Sequence, residues 1–111
     1  MKNYMMAAVA MTILSACLME PTHYDGYRVY GEKRQPASEN VEEAVITSMA
    51  CWSNDKKYLI YKYPLRNPVQ YRAIKPKNWS TPIGGRDHPT FLAAVAAACG
   101  TTESALLNGT Y

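Results

Sequence analysis

Histidine is nearly absent from this chain of 111 residues: only His23 and His88 occur. Two isolated histidines make no metal site without further ligands at suitable spacing. Cysteine is limited to Cys17, Cys51 and Cys99, and a Cys–His nucleophile pair would need one of them free and activated. The nine acids are divided between the N-terminal region, one expected helix start and isolated positions, so no carboxylate pair stands out for glycoside chemistry. Gly84-Gly85 lacks the strand–loop–helix setting of a phosphate loop. No apolar run reaches the ~18 residues that a membrane-spanning helix needs, and there is no internal repeat or low-complexity tract. These absences leave no expected catalytic residue, metal or cofactor, and the chain does not read as an enzyme.

What is present begins at the first residue. Met1 to Cys17 reads MKNYMMAAVAMTILSAC, with a positive charge at Lys2 and an apolar run from Met5 to Ile13 broken only by Thr12. The stretch closes on Leu14-Ser15-Ala16-Cys17. Charged, apolar and small-residue regions in that order form an export signal. The last four residues resemble the lipobox of bacterial lipoproteins, in which an aliphatic residue and two small ones precede the cysteine that takes the lipid. The resemblance implies cleavage before Cys17, acylation of Cys17 and attachment to the membrane. Leu18 follows the cysteine. In Gram-negative lipoproteins the lack of aspartate at that place implies transfer to the outer membrane, facing the periplasm. A plain secretory signal or a buried N-terminal helix is the competing reading.

Removing residues 1–16 from the 111 leaves 95, enough for one small domain. Chains this short often need a covalent staple. With Cys17 committed to lipid, Cys51 and Cys99 remain, and pairing is the default in an oxidising compartment. Two buried free thiols are the alternative.

Leu18 to Ser38 holds Pro21, Gly26, Gly31 and Pro36 without a sustained apolar pattern, and reads as a flexible tether. Tyr24, Tyr27 and Tyr30 recur every three residues there, as a docking strip or as residues lying against membrane or domain. Asn40 to Trp52 reads as an amphipathic helix capped by Asn40 and Glu43, with Val41, Ala44, Val45, Ser48, Met49 and Trp52 on one face. Lys57–Tyr63 and Val69–Lys75 read as strands of a hairpin, bounded by Pro64 and Pro76. A second helix is expected to start near Asp87 or His88, to bury Phe91, Ala94, Val95, Ala98 and Cys99, and to stop at Gly100. Thr101 or Thr102 then caps a short helix through Leu107. The expected architecture is α+β: a small helix–β-hairpin–helix domain stapled by one disulfide, behind a flexible tether. The expected divisions are a signal peptide (1–16), a lipidated tether (17–38) and a periplasmic domain (39–111).

The net charge of +3 conceals an asymmetry: Lys56 to Arg86 contains eight basic residues and no acid. Charge separated this way predicts one basic face if the segment folds as a unit. Lys62, Arg66, Arg72, Lys75, Lys77 and Trp79 are the candidate partner surface, interleaved with tyrosines, and Lys62 and Arg72 are expected to be exposed. Such surfaces stack and attract single-stranded nucleic acid, but around an envelope protein the anions are lipid head groups and acidic glycans. The bland reading gives the tyrosines to the core and the lysines to solvent. The functional expectation is a structural or interaction lipoprotein of the cell envelope, for example within a secretion or envelope assembly. The alternative is a small inhibitor or binder of cell-wall enzymes or anionic envelope glycans.

Overall fold

A computed structural model describes residues 22–24, 26–78 and 80–108. Five strands form one antiparallel sheet in sequence order: β1 (Thr22–His23), β2 (Tyr27–Gln35), β3 (Ala44–Cys51), β4 (Lys57–Tyr63) and β5 (Gln70–Ile74). Two short helices follow, α1 (Phe91–Cys99) and α2 (Glu103–Asn108). The class is therefore β-dominated, and the helix–hairpin–helix expectation is corrected at both of its N-terminal parts.

The first correction is β3, where a helix was expected. Val45, Ile46 and Thr47 are three β-branched residues in a row, stiff at χ1 and better suited to a pleated surface than to a helix. The segment is the middle strand of the sheet, and its apolar residues are divided between two faces. Met49 and Cys51 lie under the helices, whereas Ala44 and Ile46 belong to a second cluster on the opposite face. A strand buried on both faces, here by the helices on one side and by neighbouring side chains such as Tyr61 and Tyr63 on the other, reads as a continuous apolar run, which helical spacing also fits. Asn40 and Glu43 do not cap a helix. Ser38 and Val41 instead exchange backbone hydrogen bonds of 2.7 and 3.3 Å to close the β2–β3 turn.

The second correction is the segment expected to be a tether. Tyr27–Gln35 is a strand of nine residues paired along β3, with a register shift between Val29 and Gly31. Glu32, Lys33 and Arg34 are exposed on it. β1 pairs only with Arg28 and Val29, so Glu32–Arg34 lie on an uncovered edge, where charges discourage pairing with other chains and also hide the strand from a hydrophobic pattern.

The C-terminal expectations fare better. β4 and β5 pair antiparallel from Leu59–Ile74 to Tyr63–Gln70. Helix α1 begins later than expected: Thr90 caps it by accepting a hydrogen bond of 3.1 Å from the Ala93 amide, so Pro89 lies ahead of the cap. Gly100 ends it in the left-handed region at φ 68°. Thr102 caps α2 through the Ala105 amide at 3.1 Å.

Alternation along the strands separates two faces. The helix-covered face contributes Tyr27, Met49, Tyr58, Ile60 and Ala73, packed against Ala94, Val95, Ala98 and Leu106. Small alanines let α1 approach the sheet closely. Cys51 and Cys99 are bonded at the centre of this cluster with an S–S distance of 2.05 Å, joining the end of β3 to the end of α1 rather than two helix ends. Among the described residues no helix is long and apolar enough to cross a membrane.

Candidate functional site

The acid-free segment does not fold into one basic face. Lys62 faces Tyr71 across β4–β5, whereas its neighbour Tyr61 faces Arg72, so Lys62 and Arg72 point to opposite sides of the sheet. Lys62 is half-buried on the helix side, where it borders a cavity of about 320 Å³ with Glu32, Val45, Thr47 and Tyr71. Lys75 and Lys77 are exposed in the turn after β5, where Lys77 has φ 76°. Trp79 and Cys17 lie outside the described residues.

Arg66 and Arg72 meet, but in a network that closes on itself. The Arg66 guanidinium reaches Glu42 at 2.5 and 3.2 Å and Asp87 at 2.8 Å. Arg72 grips the same Asp87 at 2.6 and 3.1 Å in a two-pronged contact. Beneath both lies the ring of Tyr63, 4.1 Å from Arg66 and 5.3 Å from Arg72. Arg72, expected to be exposed, is thus half-buried and ion-paired. Hydrogen bonds from Arg72 hold the Asp87 carboxyl below the usual carboxylate range. The bond to Glu42 raises Arg66 further above its ordinary value. Burial pushes the Tyr63 hydroxyl up. The network binds the β4–β5 loop, β5 and the approach to α1 together, and leaves those two arginines little free charge to offer.

A groove of about 560 Å³ occupies the helix-free face, and the sequence reading missed it. Ile46, Leu59 and Tyr61 form its apolar floor, and consecutive residues from Gly31 to Pro36 form one wall. Gly31 stands opposite Ser48 in the β2–β3 register. Two such small side chains leave the space above them unfilled. Lys33 has no ion pair among the described residues, while Arg34 reaches Glu43 at 3.3 Å. Alternation in β4 already set Leu59 and Tyr61 on one face, but the groove also needs Ile46 and Gly31, whose segments read as helix and tether.

The chain matches no family model, no curated protein and no solved structure.

Reactive groups are few. Both described cysteines are spent in the disulfide. His88 is buried, exchanges backbone hydrogen bonds of 2.7 and 2.8 Å with Tyr71, and its Nε2 has no hydrogen-bond partner among the described residues. Among the described residues no group of three or more His, Cys, Asp or Glu could hold a metal ion. The arrangement offers binding surfaces: an apolar trough with a cation at its rim, and exposed lysines beyond β5.

Proposed function

We propose that the protein is a membrane-anchored bacterial lipoprotein that serves as an interaction component of the cell envelope. The observation that carries this reading is Leu14-Ser15-Ala16-Cys17 at the end of a charged and then apolar leader. Acylation of Cys17 fixes the chain to a membrane, and Leu18 after it favours the outer membrane of a Gram-negative cell. The groove over Ile46, Leu59 and Tyr61 is the surface on which a protein partner docks; it is apolar at its floor and polar at its rim, as interfaces are. A binder of anionic glycans is less well supported, because Arg66 and Arg72 are neutralised by Glu42 and Asp87.

Replacement of Cys17 tests the anchor. Cys17→Ser should move the protein from the membrane fraction to the soluble fraction and abolish labelling by an alkyne fatty acid. Each buried methylene contributes about 0.8 kcal/mol, so two or more chains hold the protein firmly. Equal labelling of wild type and variant would overturn the assignment.

A further inference from the structure

Strand β1 begins at Thr22, only five residues after Cys17. Covalent geometry limits that stretch to about 17 Å at ~3.4 Å per residue. On the lipoprotein reading, β1 is therefore held beside the bilayer, and what surrounds β1 meets lipid first.

Around β1 the surface is aromatic. His23 stacks on Trp52 with ring centres 5.2 Å apart, and the Trp52 indole N–H donates to the Tyr24 carbonyl at 2.8 Å. Tyr24 stacks on Tyr27 at 4.9 Å and borders a cleft of about 260 Å³ with Leu107 of α2. These anchored side chains are nonetheless open to solvent: Tyr24 is 49% exposed, Trp52 41% and Leu107 62%. Arg28 lies 4.7 Å over the Trp52 ring and pairs with Asp55. Rings with an apolar body and a polar handle prefer the membrane–water boundary, where one end is buried and the other stays wet.

We infer that Tyr24, Trp52 and Leu107 form a seat that rests in the headgroup layer of the bilayer holding Cys17. The inference rests on the lipoprotein reading and adds to it: the domain lies on the membrane in a set orientation. The short leash selects lipid as the occupant, since whatever covers this patch must fit between β1 and a membrane at most about 17 Å along the chain from it. The groove, which lies along Gly31–Pro36 and away from the end of β2 where Tyr27 pairs with Cys51, then remains open to a partner.

The test uses Trp52 as its own probe. The sequence has two tryptophans, so Trp79→Phe in the full, lipidated chain leaves Trp52 as the only one. The protein is purified from membranes and placed in nanodiscs of phosphatidylethanolamine and phosphatidylglycerol, with and without bromine on the acyl chains. Trp52 emission should shift to the blue and be quenched more by bromine near the glycerol than by bromine near the chain end. Adding Tyr24→Ser and Leu107→Ser should relieve the quenching, with the Cys51–Cys99 bond intact as the check on folding. Lipidated protein whose Trp52 emits as it does in the Cys17→Ser form in buffer would overturn the inference alone. Trp52 shielded from aqueous acrylamide in native membranes but untouched by brominated lipid would overturn it in favour of a protein cover. Absence of lipid on the purified protein would overturn the anchoring reading as well.

Discussion

Asp87 stands between two arginines that come from different places in the chain. Arg72 lies on β5 and Arg66 in the loop before it, and the carboxylate bridges them at 2.6 to 3.1 Å. Both arginine contacts favour the charged form, which is why the folded-state carboxyl titrates below its ordinary value. A depressed carboxyl gives stability above its unfolded pKa, near 4, and the contribution disappears as pH falls through the lower folded value. Urea unfolding should therefore show the wild type losing stability below about pH 4. Asp87→Asn should cost about 1–3 kcal/mol at pH 7, because it leaves half-buried guanidinium groups short of a partner. Its loss on acidification should be shallower than that of the wild type. Equal acid slopes would show that Asp87 is not the group that titrates. None of this was legible beforehand. Glu42 and Asp87 lie 24 and 21 residues from Arg66, outside any local pattern, and they supply the acids that Lys56–Arg86 itself lacks.

At the scale of elements, the parts that could be read are those whose signals are local. The β4–β5 hairpin follows from two aromatic and branched runs bounded by prolines, and α1 from an apolar stretch closed by Gly100, although its start was expected near Asp87 or His88 and lies instead at the Thr90 cap. The parts that misled are those whose environment is supplied by distant chain. Ala44–Cys51 is apolar on both faces because the helices pack on one and Leu59, Tyr61 and Tyr63 of β4 cluster on the other, and its spacing fits either period. Tyr27–Gln35 reads as a tether because its exposed half is charged, and only pairing with β3 makes it a strand. The disulfide was expected from compartment and count, but its geometric role was tied to a helix that is not there. Gly100 offers a clean check on a local signal. It sits at φ 68°, and a Cβ there would meet nothing within 4 Å, so Gly100→Ala should cost ~1 kcal/mol from backbone strain alone. Chemical denaturation measures that difference, and an unchanged midpoint would mean that the helix stop does not depend on the left-handed residue.

The described residues form one sheet with a helical layer on one side, and the Cys51–Cys99 bond crosses between the layers. Cys51 and Cys99 both belong to the cluster that joins them, and 48 residues separate them in sequence. Closing a loop of that length removes roughly 4 kcal/mol of chain entropy from the unfolded state, by a model-dependent account. A domain of this size typically has ~5–15 kcal/mol in total, so the staple is a large share of the margin. Replacing both cysteines by alanine should lower the unfolding free energy by about 2–5 kcal/mol. The loss should also have a place. Alanine-rich α1 offers few large side chains to the sheet, whereas β3 keeps its pairing to β2 and β4 on either side. Amides of α1 and α2 should then exchange with solvent well before those of β3 and β4 when the bond is absent. Hydrogen exchange by mass spectrometry on the double variant checks this, with maleimide confirming that neither wild-type cysteine of the pair is free without reductant. If the helices and the central strands lose protection together and by the same factor, the bond stabilises the sheet as a whole and does not serve as the clasp between its layers.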